Sequence, residues 1–253
     1  MPRALVRRPS PRLADGLVTH IDRRPVDPDL ALDQWRQYVA ALEKAGWETV
    51  EVPPADDCPD AAFVEDTVVV YGDLAVISRP GADERKPETA GTETTLAGLG
   101  YRIARIEAPG TLDGGDVLKH DGTVWVGLGG RTNQAGVDQL AALLAPLGAT
   151  VVGVPVSKVL HLKSAVTALP DGTVLGYEPL VDDPDAWDRF LAVPEEPGAH
   201  VVLLDGETVL MSSGAPRTRA LLEERGLEVV TVDISEFEKL EGCVTCLSVR
   251  LRG

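Results

Sequence analysis

Dipeptides of aspartate and glycine recur along the chain, each lying between two short apolar segments. The paired segments are 67–70 and 74–77, 116–118 and 123–126, 165–169 and 173–175, and 200–204 and 207–211. Aspartate and glycine both tolerate positive φ angles, so each dipeptide predicts a tight β-hairpin between its flanking segments. Four similar hairpins in one chain predict a repeated structural unit.

Helical and strand-like patterns complete the unit. Three segments carry apolar side chains at helical spacing and stop beside a glycine: 30–44, 133–147 and 216–225. A short strand-like segment follows each of them: 47–52, 150–154 and 227–232. The repeated unit is therefore predicted to be a hairpin, a helix and a further strand.

A unit of this kind cannot bury its own apolar face, so the units must stack or close into a ring. Segment 3–7 has no hairpin partner before it, and segment 244–251 has none after it. Pairing these two ends would close a ring and leave no exposed sheet edge. We predict one α/β domain over residues 1–253, a propeller-like ring of about five modules, with an open α/β sandwich as the alternative.

Two polar segments rich in proline or glycine, 81–95 and 179–197, interrupt the periodic pattern. We predict that they are long loops, which in a compact domain often cover a site.

The overall charge narrows the range of partners. The chain has 24 lysines and arginines against 40 aspartates and glutamates, a formal net charge of −16. Such a surface repels phosphate backbones and attracts small cations, although many soluble proteins are simply acidic. Apolar stretches are too short for a membrane span, and the amino terminus lacks a signal-like apolar region. We therefore predict a cytoplasmic protein that binds neither nucleic acid nor membrane.

Three cysteines, at positions 58, 243 and 246, cannot all pair with one another, so free thiols are expected. Cys246 is the candidate nucleophile, although a lone free cysteine is often only a small buried apolar residue. Cys243 and Cys246 form a C-x-x-C pattern. In a strand, however, residues three apart face opposite sides, so we expect neither a redox pair nor a zinc site.

His161 and several carboxylates could assist a thiol. His161 lies between two leucines at the start of a predicted strand, where it is either a core residue or a proton donor and acceptor. Asp113 and Asp116 flank a double glycine, and Glu65 precedes Asp66. Each acidic pair alone could end or cap an element, but together they could hold a planar, cationic guanidinium.

Arg85 and Arg131 lie on predicted loops. By default each is a surface arginine. As a pair they could clamp a carboxylate.

Several of these motifs occur in the order typical of one family. The matching segments are 59–66, 79–82, 112–118, 131–134, 160–164 and 242–249. On them the chain resembles the dimethylarginine dimethylaminohydrolases of the pentein, or guanidino-group-modifying, superfamily. The resemblance implies the pentein fold, a pseudo-symmetric α/β propeller of five modules.

The resemblance also implies a role for each candidate residue. It makes Cys246 the nucleophile, His161 the general acid and base, and Asp113 the acid that orients the histidine. The implied substrate-binding residues are Asp60, Glu65 and Asp66 for the guanidinium, Arg85 and Arg131 for the carboxylate, and the carbonyls of Leu17 and Leu240 for the α-amino group.

The implied reaction converts dimethylarginine and monomethylarginine to citrulline and methylamines through a covalent thiouronium on the cysteine. It uses no cofactor and no metal, and its partner is the small-molecule substrate, with assembly into a homo-oligomer left open. An arginine deiminase or amidinotransferase of the same superfamily would use the same groups. A non-catalytic protein that binds arginine-like ligands is the alternative from another class.

Overall fold

The computed structural model describes residues 1–252, which contain fifteen β-strands and six α-helices. The strands are β1 (Arg3–Val6), β2 (Glu48–Glu51), β3 (Val68–Tyr71), β4 (Leu74–Ile77), β5 (Arg102–Arg105), β6 (Val117–His120), β7 (Thr123–Leu128), β8 (Thr150–Pro155), β9 (Val166–Ala168), β10 (Val174–Gly176), β11 (Phe190–Ala192), β12 (Val201–Leu203), β13 (Thr208–Ser212), β14 (Glu228–Val232) and β15 (Val249–Leu251). The helices are α1 (Pro28–Lys44), α2 (Thr89–Gly98), α3 (Gln134–Leu144), α4 (Leu162–Ala165), α5 (Pro216–Glu224) and α6 (Ser235–Glu238).

The strands form five sheets of three strands each. In four of them the middle strand pairs antiparallel with the strand before it and parallel with the strand after it: β3-β4-β5, β6-β7-β8, β9-β10-β11 and β12-β13-β14. All four predicted hairpins are present. Three of their turns place a glycine at positive φ, namely Gly72, Gly122 and Gly172.

The fifth sheet joins the two ends of the chain. Strand β1 pairs antiparallel with β15, with Ala4 opposite Arg250, and pairs parallel with β2 on its other side. Each module places one strand at a central cavity of about 320 Å³: β3, β6, β9, β12 and β15. The lining of this cavity includes Val69, Leu118, Thr167, Val202 and Arg250. The predicted ring of five modules is therefore confirmed, and the open sandwich is not.

Helix α1 connects the first module to the carboxy-terminal segment. It begins after Asp27, whose carboxylate accepts hydrogen bonds from two backbone N–H groups of the first turn. Tyr38 on this helix is fully buried, and its hydroxyl donates to the carbonyl oxygen of Val244 at 2.9 Å and lies 2.7 Å from Ser248 Oγ. The helix thus holds the segment that precedes β15 in place.

Three expectations about local structure were wrong. Segment 81–95 is not a loop, because it forms a 3₁₀ helix over Asp83–Glu88 followed by α2. Only two residues of α2, Thr92 and Leu96, are buried, so the sequence carries no clear helical stripe. Segment 179–197 contains the short strand β11, and the last predicted strand starts only at Val249.

Within residues 1–252, none of the helices is both long and apolar enough to cross a membrane.

Replacement of Leu5 tests the packing at the closure of the ring. Its side chain is fully buried in a cluster with Val52, Val64 and Val249. We expect Leu5→Ala to lower the free energy of unfolding by about 3 kcal/mol, because it removes apolar contacts and leaves a cavity. Urea denaturation followed by circular dichroism measures the change.

The matched control is Leu30→Ala, since Leu30 is a leucine that is 42% exposed. Its expected cost is below about 0.5 kcal/mol. Equal costs for the two variants would contradict the assigned closure.

Candidate active site

A second, narrower cavity brings together most of the predicted site residues. Eight of the ten line it: Leu17, Asp60, Asp66, Arg85, Arg131, His161, Leu240 and Cys246. Asp113 lies directly behind this lining, in contact with His161. Glu65 is the predicted residue whose side chain does not reach the cavity.

Two carboxylates surround the ring of His161, which is 3% exposed. His161 Nε2 lies 3.0 Å from Asp113 Oδ2, and His161 Nδ1 lies 3.7 Å from Asp66 Oδ1. Burial alone would lower the pKa of His161, but the charge of Asp66 and the hydrogen bond to Asp113 outweigh it and raise this pKa to about 9. His161 is therefore an imidazolium at neutral pH, ready to donate a proton.

The double glycine makes this approach possible. A Cβ atom on Gly115 would lie 2.6 Å from His161 Nδ1 and 2.5 Å from Asp66 Oδ1, too close for any other residue. The N–H of Gly115 also donates to Asp66 Oδ1 at 2.9 Å. Glycine at this position thus lets the backbone bind Asp66 while the histidine ring packs against it.

Asp116 has a positioning role that the sequence did not reveal. Its Oδ1 accepts the N–H of Leu162 at 2.9 Å, and its Oδ2 accepts the hydroxyl of Thr132 at 2.6 Å. Burial raises the pKa of Asp116 to about 6. The carboxylate fixes the start of α4 beside His161, so this histidine precedes a one-turn helix rather than beginning a strand. The position of Asp116 in the same motif as Asp113 was the sequence signal that could have revealed this role.

Arg85 is not a surface arginine, because it is 3% exposed and lies in a buried ion-pair network. Its guanidinium donates to Glu88 and Asp66, and also to the carbonyl oxygens of Asp60 and Phe63. Burial opposes the charge of Asp66, but His161 and Arg85 outweigh this and lower the pKa of Asp66. Most donors of Arg85 are thus used within the protein, where they keep Asp66 ionised.

Arg131 offers an unused donor. Its Nη1 is buried, has no hydrogen-bond partner within residues 1–252, and lies 3.9 Å from Asp113 Oδ2. Leu17 and Leu240 line the same cavity, and their carbonyl oxygens accept no hydrogen bond within the described part of the chain. A cation with an unused hydrogen-bond donor and two carbonyl oxygens that accept none are suited to the two charged groups of an amino acid.

Glu65 points away from this cavity. The 3₁₀ turn Val64–Thr67 directs Asp66 to the cavity and Glu65 to the centre of the ring, where its Oε1 lies 2.5 Å from both Lys163 Nζ and Arg250 Nη2. The backbone N–H of Glu65 donates to the carbonyl oxygen of Cys246 at 3.1 Å. The structure therefore gives Glu65 a contact that positions Cys246 and does not bring its carboxylate to the guanidinium site.

Cys243 and Cys246 lie in one turn, not in a strand. The N–H of Cys246 donates to the carbonyl oxygen of Cys243 at 3.1 Å, and the two sulfur atoms are 3.3 Å apart. The expectation that they face opposite sides was wrong, because the predicted strand does not extend over them. The hydrogen bond to Cys243, together with burial, raises the pKa of Cys246 above its usual range. The same hydrogen bond lowers the pKa of Cys243 to about 5.

Residues 17–21 are held beside the cavity by two carboxylates that line it. The carboxylate of Glu241 accepts the backbone N–H groups of Thr19, His20 and Ile21, and Asp60 accepts that of Leu17 at 3.1 Å. The cavity measures only about 10 Å³, room for about one water molecule. Some of its lining must therefore move to admit a larger ligand. No motif in the sequence indicated the role of Glu241.

The charge state of His161 can be measured directly. We expect its imidazole to titrate near pH 9, as the carboxylates of Asp113 and Asp66 require. Nitrogen-15 NMR of the labelled ring across a pH series gives the midpoint. Asp113→Asn should lower it, because the neutral amide no longer stabilises the imidazolium.

A matched control is Asp171→Asn, which removes a carboxylate from a hairpin turn bonded to Thr173. It should leave the midpoint unchanged. Because the folded pKa of His161 is raised, its contribution to stability is full below about pH 6.5 and is lost as the pH rises through about 9. A midpoint near the ordinary histidine value would contradict the assigned ion pair.

Comparison with known proteins extends these observations. The chain is 66% identical over 250 residues to the N(G),N(G)-dimethylarginine dimethylaminohydrolase of Streptomyces coelicolor, which covers 99% of this chain and 97% of the relative. No profile of a known protein family matches the chain.

Two solved structures are similar over nearly the whole chain. The dimethylarginine dimethylaminohydrolase of Pseudomonas aeruginosa, a cysteine-to-serine mutant complexed with citrulline, has a TM-score of 0.92 at 34% identity and covers 99% of this chain and 100% of its own. A histidine-to-glycine variant of such an enzyme, in an adduct with S-methyl-L-thiocitrulline, has a TM-score of 0.92 at 33% identity with the same coverage. With a thiol, an imidazolium and two carboxylates around one cavity, the chain belongs to the dimethylarginine dimethylaminohydrolase family of the pentein superfamily.

Proposed function

We propose that this protein hydrolyses N-omega-methylated arginines to citrulline and methylamines, with Cys246 as the nucleophile. The observation that carries the proposal is the shared cavity, in which the thiol of Cys246 meets the protonated ring of His161 beside the carboxylate of Asp66. Relatives that act on or bind such ligands agree with it. The catalytic domain spans the whole chain, 1–253, because this cavity needs residues from Leu17 to Cys246.

The substrate is held at both ends. Asp66, with Asp60 beside it, binds the guanidinium, for which ionised carboxylates supply both charge and orientation. Arg131 binds the α-carboxylate through Nη1, which has no hydrogen-bond partner within residues 1–252. The carbonyl oxygens of Leu17 and Leu240 accept the α-ammonium group. Arg85 supports this arrangement mainly by holding Asp66. A direct contact with the substrate carboxylate is its secondary role.

Substrate charge activates the nucleophile. Before binding, the raised pKa of Cys246 keeps its thiol protonated. A guanidinium bound next to it adds a positive charge that favours the thiolate. The sulfur then attacks the central guanidinium carbon, and a carbon–sulfur bond forms to give a tetrahedral adduct.

His161 moves the protons. Its imidazolium donates to the leaving nitrogen, the carbon–nitrogen bond breaks, and the methylamine departs from a covalent thiouronium on Cys246. The neutral ring then takes a proton from water, whose oxygen attacks the same carbon. The carbon–sulfur bond breaks, citrulline leaves, and the thiolate of Cys246 takes back the proton it had lost. Asp113 keeps the ring oriented through Nε2, so the other ring nitrogen, Nδ1, exchanges the proton.

Turnover of a substrate panel tests the proposal. Citrulline and amine release should be faster from asymmetric dimethylarginine and monomethylarginine than from arginine or agmatine. Cys246→Ser should slow this reaction by at least about 10³-fold, because a hydroxyl is a far weaker nucleophile than a thiolate. Colorimetric detection of citrulline provides the rate, and circular dichroism checks folding.

The control is Cys58→Ser, which changes a cysteine outside the cavity and should retain turnover. Equal or faster turnover of arginine would favour a deiminase. Near-normal citrulline formation by Cys246→Ser would remove the thiol from the mechanism, and no turnover of any substrate would favour a non-catalytic binding protein.

A separate variant tests the carboxylate site. Arg131→Gln should raise KM for dimethylarginine by about 30-fold or more with a smaller change in kcat, because it removes a charge-assisted pair of about 2 kcal/mol. The effect should be much weaker on agmatine, which has no carboxylate. Initial-rate kinetics on both substrates separates these contributions.

Arg102→Gln serves as the matched control, since Arg102 is an exposed arginine paired with Asp73. It should leave both constants unchanged. An equal loss on the two substrates would show that Arg131 does not act through the carboxylate.

A further inference from the structure

The site contains a second thiol that this mechanism does not use. Cys243 is 3% exposed, and its sulfur lies 3.3 Å from the sulfur of Cys246. A disulfide joins two sulfur atoms at about 2.05 Å, so the pair must approach by only about 1.2 Å. Ordinary van der Waals packing would also place a small thiol here, so distance alone does not decide its role.

The backbone around the pair is suited to a bond. Cys243 and Cys246 are the first and last residues of a turn closed by a 3.1 Å hydrogen bond. Such a turn keeps its end Cα atoms within about 7 Å, and disulfides span Cα distances of about 4.4–6.8 Å. Rotation of the two side chains, without unfolding of the turn, is then enough to join the sulfurs.

The surroundings of Cys243 favour the reactive form of its sulfur. Besides Cys246, the hydroxyl of Thr245 lies 3.2 Å from this sulfur. Hydrogen bonds from these groups lower the pKa of Cys243 to about 5, so a thiolate is present at neutral pH. A thiolate is the species that attacks an oxidised sulfur.

Access to the two thiols differs. Cys246 lines the active-site cavity, whereas Cys243 does not. A small oxidant that enters the cavity therefore contacts Cys246 first. Cys243 lies behind Cys246, close enough to react with it. This arrangement corresponds to a reacting thiol and a resolving thiol.

We propose that hydrogen peroxide converts Cys243 and Cys246 into a reversible disulfide that switches the active site off. The proton that the two sulfurs share passes from Cys246 to Cys243. The Cys246 thiolate then attacks one peroxide oxygen, the oxygen–oxygen bond breaks, and the leaving hydroxide takes the proton from Cys243 to give water. The sulfenic acid formed on Cys246 has lost two electrons. The thiolate of Cys243 attacks that sulfur, the sulfur–oxygen bond breaks, and the leaving hydroxide takes a proton from solvent to give a second water. In total, two thiols and one peroxide give one disulfide and two waters.

The disulfide has a protective consequence. It removes the nucleophile from use, and it consumes the sulfenic acid before further peroxide can carry it to the irreversible sulfinic acid. A dithiol reductant returns both thiols by exchange.

Mass spectrometry tests the proposal without relying on the assigned reaction. Tryptic cleavage yields peptide 240–250, which contains both cysteines and no internal lysine or arginine. The full chain is treated with hydrogen peroxide, denatured, alkylated with iodoacetamide and digested without reductant. The expected peptide has lost two hydrogen atoms and carries no alkyl group, while the peptide with Cys58 is alkylated.

Activity provides the second readout, taken as a fraction of each variant's own starting rate. Wild type should lose activity with peroxide and regain most of it with dithiothreitol. Cys243→Ala should regain less than about a tenth, because its sulfenic acid has no resolving thiol and is oxidised further, with added oxygen on peptide 240–250. Cys58→Ser should behave as wild type.

Three outcomes would overturn the proposal. One is a wild-type peptide that gains oxygen or keeps two alkylatable thiols. Another is a Cys243→Ala variant that recovers as fully as wild type. The last is a wild-type chain whose thiols and activity both survive peroxide. Loss of the disulfide signal would leave the substrate assignment untouched, and a missing hydrolase activity would leave the peptide masses interpretable.

Discussion

The antiparallel pairing of β1 with β15 is the contact on which the site depends. Cys246 lies three residues before β15, so closing the ring carries the thiol from the end of the chain to the turn that holds Asp66. The N–H of Glu65 then binds the carbonyl oxygen of Cys246, and Tyr38 binds that of Val244. Without the closing pair, the thiol of Cys246 and the carboxylate of Asp66 would belong to two separate parts of an open chain.

The chain has a formal net charge of −16, yet its positive and negative side chains gather at different cavities of the ring. The central cavity is lined by four cations, Lys119, Lys163, Arg250 and Arg252, with Glu65 as the carboxylate among its lining residues. Burial and the neighbouring cations lower the pKa of Lys119 to about 7, whereas the carboxylates around His161 raise its pKa to about 9. Burial lowers the pKa of both groups, and only at His161 do neighbouring charges of opposite sign outweigh it.

Sequence alone predicted the features that local chemistry determines. The dipeptides of aspartate and glycine predicted the four hairpins. The two chain ends without hairpin partners predicted the strand pairing that closes the ring. Helix α2 was missed because its buried side consists mainly of Thr92 and Leu96. The facing sulfurs and the orientation of Glu65 toward the central cavity were missed for a different reason. Both depend on where a strand starts or how one 3₁₀ turn is oriented, and a shift of a single residue reverses the side that a side chain faces.

The protons of the unliganded site connect catalysis with oxidation. His161 holds a proton because two carboxylates face it, and Cys246 holds one because the thiolate of Cys243 accepts it. The thiol of Cys246, the proposed nucleophile, thus stays protonated until a bound cation favours its ionisation or its proton passes to Cys243, the sulfur best placed to bond with it. A substituent at position 243 that cannot accept this proton would leave Cys246 more readily ionised in the empty cavity. The same two sulfur atoms therefore make the hydrogen bond that keeps Cys246 protonated and would form the disulfide that inactivates it reversibly.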